Sequence, residues 1–447
     1  MTTPVSRLLA EYIADTTYES ISPELLEQFK KLLMDYYAVA IPGAETDVTK
    51  KVLEYLRTMD HGGDCTVIGS DVKMNPLNAA FVNGASAHAL DFDDGHREGA
   101  LHPGSVIFPT VFAVAEAHRQ SNRDVILGAA IGYDVMIRIS MGMHPYSVYR
   151  GFHNTAVAGV MGAAAAASKM LGLNREQALN ALGLAGSFAG GLYAYVQNGA
   201  NTKRIHPGKA ARDGILCAEL AARGLTGPHE VVEGPSGLLQ THAEQYDPEK
   251  IVQDLGRVNR MLGCYLKPYP SCRHAHGPIE AAKIIKAQAG NLSLADIRSI
   301  QVKTYAVAMK HTHKTYRNLL EIQMSIPCSV AAAFAFDHVS VDTLEPGVFG
   351  SHPMVPGLLE KMSIELDEEH ENLYPKKNPV TVTVTMMDGK TYQAYVEDPL
   401  GAPDNPMSKA QIEEKLIANC AKIVGDSRCK ELVRHIWSFE TANRLVV

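Results

Sequence analysis

The chain has 447 residues, 46% of them hydrophobic and 20% charged, with a formal net charge of -7. That composition excludes a disordered chain, and the acidic balance argues against nucleic acid or an anionic membrane as the main partner. One hydrophobic core stops growing near ~250–300 residues, so two domains are expected. No apolar run reaches the ~18 residues of a membrane span. The opening Met1-Thr-Thr-Pro-Val-Ser-Arg lacks the basic start and apolar core of a signal peptide. Seven cysteines are scattered without a Cys-x-x-Cys pair, which indicates neither a zinc ribbon nor a disulfide scaffold. A reducing cytoplasm is the expected setting.

In chain order, Ser22-Pro23 is a cap followed by proline at the first helical position. Leu25, Leu26, Phe29, Leu32, Leu33 and Tyr36 then recur at helical spacing. Apolar helical stretches follow at 77–90, at 105–119 and from Asp124 to Met141. Residues 155–171 predict an Ala/Gly-rich helix deep in the core, because small residues let neighbouring helices approach. Asn174-Arg-Glu-Gln177 caps the next helix, and 208–223 supplies another. Residues 1–266 therefore read as an all-helical domain. After Tyr265 the character changes. Ile297 to Ala306 alternates as a strand does. Val380-Thr-Val-Thr-Val-Thr-Met and Thr391-Tyr-Gln-Ala-Tyr-Val flank Asp388-Gly389, a β-hairpin signature. Residues 325–336 and 341–345 look helical between them. Residues 267–399 thus read as a smaller α+β domain. The tail from Ser408 to Leu432 is again helical and could pack back on the first domain.

Polar clusters carry the candidate chemistry. The stretch from His88 to His102 holds three histidines, three aspartates, a glutamate and an arginine between apolar helices. So many titratable groups can share a buried neighbourhood only if they pair, bind a ligand or shift their pKa values. A solvated acidic loop is the alternative, but Gly-Ala-Leu-His-Pro-Gly is a poor solvating linker. A second cluster is His153-Asn-Thr, before the alanine-rich helix. A third is the basic segment with Lys203, Arg204, His206 and Lys209, running into the helix that begins Ala210-Ala-Arg-Asp. It reads either as an anion site at a helix N-terminus or as a solvated basic turn. The fourth runs from Lys267 to His276 at the domain junction and includes Cys272, Arg273 and His274. Clefts at such junctions are common ligand sites.

His88, Asp91, Asp93, Asp94, His96 and His102 are metal-ligand types, but their spacing is neither His-Glu-x-x-His nor an EF-hand loop. No metal is expected. No Gly-x-Gly-x-x-Gly follows a strand, and no Walker lysine follows a Gly-rich loop. Neither Ser271 nor Cys272 sits in a strand–turn–helix elbow. What remains is cofactor-free acid/base chemistry, with histidines moving protons and Lys/Arg holding a carboxylate-rich substrate.

These clusters, in this order, resemble the MmgE/PrpD family over essentially the whole chain. The most specific pieces are His88-Ala-Leu-Asp-Phe-Asp-Asp with His102-Pro, Lys203 to Lys209, and Leu266-Lys-Pro-Tyr-Pro. The resemblance implies a mainly α fold: a large all-helical domain built from both chain ends, with 400–447 returning to it, and a smaller α+β lid. It also implies a homodimer, an active site between helical domain and lid, and no metal or organic cofactor. Asp93, His102, His153, Lys203 and Lys267 match the family's catalytic positions. His206, Lys209, Arg273, His274 and Arg97 are the expected substrate-binding residues. Decarboxylase-like members read Asp-Asp-Thr-Trp-His-Pro-Ala-Thr-His-Pro where this chain reads Asp-Asp-Gly-His-Arg-Glu-Gly-Ala-Leu-His-Pro. Cys272 falls near a histidine of the decarboxylases.

The expectation is a lyase acting beside a carboxylate of a small di- or tricarboxylate. His102 would be the proton carrier, oriented by Asp93, with His153 a second one. Lys203, Lys267 and Arg273 would stabilise developing negative charge. An epimerase of an iminodisuccinate-like dicarboxylate and a non-catalytic polycarboxylate-binding protein are the alternatives. The same cations would hold citrate, methylcitrate, aconitate or iminodisuccinate.

Overall fold

Short polar side chains fix where the helices begin. The Ser22 hydroxyl accepts from the Leu25 amide at 3.2 Å, so Pro23–Ala44 starts at Pro23. Asn75 does the same for Pro76–His88, and Ser121, Asn174 and Ser408 form capping boxes at Asn122–Met143, Arg175–Phe188 and Lys409–Val424. The computed structural model describes residues 3–290 and 292–442. The outermost positions of the expected 1–266 and 400–447 segments, and one position of 267–399, lie outside the described residues. Two compact units form. The first comprises the chain up to Ala89, Asp93–Tyr265 and the chain from Ser408; the second comprises Leu90–Phe92 and Leu266–Met407.

The first unit is helical and built around Asn154–Met170. Every residue from Asn154 to Ser168 is buried, and the helix packs against both Asn122–Met143 and Thr202–Ala222. Asn122–Met143 is long and apolar enough to cross a membrane by length and composition, contrary to the expectation from the apolar runs, but 94% of that stretch is buried inside the protein. It is a core helix here. Lys409–Val424 packs on Pro23–Ala44, joined by a buried Lys415–Asp35 ion pair at 2.6 Å.

The basic segment is neither a turn nor a loop leading to a helix. Lys203, Arg204, His206 and Lys209 lie in the first turns of Thr202–Ala222, which continues through Pro207. This helix lies against Pro76–His88 at a glycine pair. A Cβ on Gly84 would stand 2.6 Å from the Gly208 Cα, and one on Gly208 would stand 2.1 Å from the Phe81 carbonyl oxygen. The Arg204 guanidinium donates to the Ala89 carbonyl and ties the two helices again. We expect Gly208→Ala to cost ~1–3 kcal/mol, as overpacking does. Denaturant unfolding checks it, and an unchanged midpoint would contradict so close an approach.

The second unit holds a four-stranded sheet in the order Met362–Leu366, Ile297–Thr304, Val380–Met386, Thr391–Val396. The first pair is parallel and the others antiparallel. Val380, Val382 and Val384 alternate inward, and His276–Ala289 packs on the hairpin strands. Asp388-Gly389 makes the turn, with Gly389 at φ 89. Residues 341–345 form turns rather than the expected helix. The Glu345 side chain accepts from the Val348 amide at 3.0 Å and Pro346 takes the first helical position, so the helix is Pro346–Ser351.

Candidate active site

Four elements of the helical unit each deliver one histidine to the same place. His88 ends the helix Pro76–His88, and His102 closes the loop before Gly104–His118. His153 stands just before Asn154–Met170, and His206 lies in Thr202–Ala222. Ring centroids are 4.9 Å apart for His88–His102, 6.0 Å for His88–His153 and 5.1 Å for His153–His206. The rings therefore form a continuous row. Tyr195 stands edge-on to His153 at 5.3 Å.

The loop that carries His102 is folded inward, not solvated. Asp91, Asp93, Asp94 and His96 are all buried. The Asp94 carboxylate accepts from the Gly104 amide at 2.9 Å and the Tyr133 hydroxyl at 3.1 Å, so it caps the following helix. Burial, then the charges of Asp35 and Asp93, push the Asp94 pKa well above the usual carboxylate range. The Gly99 carbonyl accepts from Ser140 and Asn154, and the Gly99 amide donates to His96 Nδ1 at 3.2 Å. His102 Nδ1 lies 2.7 Å from the Asp94 carbonyl oxygen. A carbonyl only accepts, so Nδ1 carries the proton and the neutral ring has its lone pair on Nε2. That is the form a general base needs.

Asp93 is closer to His88 than to His102. Its Oδ2 lies 2.8 Å from His88 Nδ1, a hydrogen bond, and 3.8 Å from His102 Nδ1, a charge contact. Asp93 thus orients His88 and stands ready to stabilise a protonated His102, while the Asp94 backbone does the orienting of His102. His88, Asp93 and His102 also offer metal-ligand atoms within 4.8 Å of one another. The 2.8 Å separation is that of a hydrogen bond; two ligands on one ion would sit farther apart.

His153 and His206 share one hydrogen bond, Nδ1 to Nδ1, at 2.9 Å. One ring donates and the other accepts, so both cannot be protonated there. Burial, then His206, His88, Lys203 and His102, hold the His153 pKa well below its usual range. Burial, then His88, Lys209 and Lys203, bring His206 down to about 4. The unfolded chain protonates this residue near its ordinary ~6.5. Between those values the unfolded state binds more protons, so stability falls as pH drops from ~6.5 to about 4. Each such group contributes roughly 1.4 kcal/mol per pH unit. Unfolding free energies at several pH values should show this slope, reduced in His206→Gln. An identical slope in that variant would contradict the assignment.

The remaining expected residues have these places. Lys203 is buried in the same helix as His206. Lys209 donates to the Phe188 carbonyl at 2.7 Å and pairs with Asp213 at 3.2 Å. Arg97 is half-buried, and its charge, after burial and Arg260, helps bring His96 down to about 3. In the second unit, Lys267 is buried and donates to the Asp91 carbonyl at 2.8 Å and carboxylate at 3.0 Å. Arg273 donates to the Pro399 and Leu400 carbonyls at 2.8 and 2.9 Å, tying down the exit of the hairpin. His274 Nδ1 is 2.6 Å from the Tyr305 hydroxyl, and its ring stacks on His311 at 5.4 Å. Cys272 Sγ lies 3.9 Å from His311 Nε2. Burial raises the Cys272 thiol pKa, but His311 outweighs it and the net shift is downward.

Sequence reasoning missed His88 as a member of the site, although it opens the motif and precedes Asp93 by one helical exit. It also missed Tyr195, which no local pattern marks. An open cleft in the helical unit, lined by Tyr12, Asp15, Leu127 and Asn259, holds none of these histidines.

The fold is that of a mainly helical, two-unit protein with a row of four histidines in its helical unit. The chain belongs to the MmgE/PrpD family: the N-terminal domain of that family matches residues 7–251 and the C-terminal domain matches residues 269–438. It is 28% identical to the cis-aconitate decarboxylase of Aspergillus terreus, over 96% of this chain and 91% of that protein. It is 28% identical to the human cis-aconitate decarboxylase, over 94% and 88%. The 2-methylcitrate dehydratase of Cupriavidus necator is 25% identical, over 75% and 73%.

Proposed function

We propose that this chain is a cofactor-free lyase acting on a small di- or tricarboxylate, by decarboxylation or dehydration, with His102 as the acid/base. The observation that carries this reading is the anchoring of His102. Its Nδ1 is committed to the Asp94 carbonyl, and Asp93 lies 3.8 Å from the ring that would become charged. Removing a proton or carbon dioxide beside a carboxylate leaves a carbanion with enolate character. Nε2 of His102 handles the proton, and the Asp93 carboxylate stabilises the imidazolium. His153 and His206, held neutral, donate or accept hydrogen bonds without adding charge. Lys203 supplies the positive charge for a substrate carboxylate. The names of the decarboxylase and dehydratase relatives support the substrate class.

Incubation with a panel of polycarboxylates in deuterated water, read by NMR, tests the reading. Loss of water or carbon dioxide from one member supports a lyase. Deuterium exchange with no net loss would assign an epimerase, and binding without exchange would assign a non-catalytic polycarboxylate-binding protein. Lys203→Ala should weaken a tricarboxylate by about 10- to 150-fold, the equivalent of one charged hydrogen bond at ~1.5–3 kcal/mol, and a monocarboxylate less. Calorimetric titration of both ligands measures this, and equal losses would make the lysine structural.

A further inference from the structure

We infer that Tyr265 is a substrate-binding and specificity-determining residue of this chain. Its phenol hydroxyl takes the place beside Asp94 where decarboxylase-like members of the family carry a threonine. The inference rests on the reading of His102 as the acid/base. Every residue it uses lies in the helical unit.

Two short strands bring the pieces together. Gly95–His96 pairs antiparallel with Cys264–Tyr265, with Gly95 opposite Tyr265 and His96 opposite Cys264. Each segment lays a ring over a glycine of the other. A Cβ on Gly95 would stand 2.5 Å from the Tyr265 Cζ and nearer still to its hydroxyl oxygen, and one on Gly263 would stand 2.8 Å from His96 Nε2. Neither glycine has a positive φ, so the close approach of the ring is what requires it. The decarboxylase-like pattern reads Thr-Trp at the two positions where this chain reads Gly95-His96. A threonine there would place its Cβ inside the phenol ring. The exchange therefore removes one hydroxyl from the motif and returns another to the same place from the facing strand. That place adjoins the acid/base. Gly95 follows Asp94, whose carbonyl oxygen lies 2.7 Å from His102 Nδ1. Bond lengths then put the Tyr265 hydroxyl within roughly 10 Å of that nitrogen, a span that one small polycarboxylate bridges. Tyr265 is buried, and a neutral phenol can donate a hydrogen bond without adding charge. With its ring held against Gly95, it offers that bond to a substrate carboxylate at a set position.

Calorimetric titration of the full chain with citrate and with aconitate, beside a thermal melt, tests the role of the hydroxyl. Tyr265→Phe keeps the ring on Gly95 and should melt near wild type. It should bind the better of the two ligands ~10- to 150-fold more weakly, the loss of one charged hydrogen bond. Gly95→Thr alone should lose as much, because it displaces the ring. Gly95→Thr with Tyr265→Ala should regain about tenfold, because the hydroxyl then comes from position 95. Wild-type affinity in Tyr265→Phe would overturn the inference and leave the reading of His102 standing. A folded double variant that binds no better than Gly95→Thr would also overturn it, by showing that the ring and not its hydroxyl matters. Wild type that binds neither ligand would overturn both the inference and the reading it rests on.

Discussion

His102→Ala should lower kcat by ~10²–10⁴, the range for losing a general acid or base, while the protein stays folded. The Asp94 carbonyl holds the ring in the tautomer that exposes a basic Nε2, and Asp93 lies 3.8 Å away to stabilise the proton once taken. No other histidine of the row duplicates this. His88 is bound to Asp93, and His153 and His206 are held neutral by burial and by one another. The fold should tolerate the change because the loop is fastened independently of the ring. Asp94 caps the helix Gly104–His118, Ser140 and Asn154 hold Gly99, and the His96 amide donates to the Leu101 carbonyl at 3.0 Å. Steady-state kinetics beside a thermal melt measures both halves. An intact fold with unchanged kcat would remove His102 from the mechanism.

Lys267→Ala should cost ~3–5 kcal/mol of stability, as removing one member of a buried ion pair does. The lysine is almost fully buried and makes two hydrogen bonds to Asp91, one to its carbonyl and one to its carboxylate. Removing it takes a buried cationic partner from the Asp91 carboxylate. Removing both charges while keeping a residue that tolerates the left-handed φ of 50 at position 91, Lys267→Met with Asp91→Asn, should restore part of the loss, because no buried charge then lacks its counter-charge. Urea unfolding of the single and double variants decides between them. A single variant within about 1 kcal/mol of wild type would show that the pair is solvated and the lysine is available for other work.

Much of the architecture was legible from local rules. Ser22-Pro23, Asn174 with Gln177, and Asp388-Gly389 between alternating strands are decided within a few residues, and each stands where the sequence puts it. The basic helix begins earlier than the expected 208–223, at Thr202. In the structure Pro207 lies inside Thr202–Ala222, and the proline removes only the hydrogen bond that would have met the Lys203 carbonyl. Gly208 is required by the approach of Pro76–His88, a contact no local pattern encodes. The site was half legible. Asp93, His102, His153, Lys203 and His206 stand out as polar residues against apolar surroundings. His88 was weighed only as a metal-ligand type within its motif, because its hydrogen bond to Asp93 forms only once the helix end and the loop are folded together. The pairing of Lys267 with Asp91 and of Cys272 with His311 joins distant parts of the chain, and long-range partners leave no mark on periodicity.

Deuterium incorporation into a tricarboxylate, followed by NMR for wild type and His102→Ala under the same conditions, tests the central claim most directly. The account predicts that wild type exchanges or removes a group beside a carboxylate without added cofactor, and that His102→Ala does so ~10²–10⁴ times more slowly. Exchange at the wild-type rate in the variant, or none in wild type with any member of the panel, would contradict proton transfer at this row of histidines.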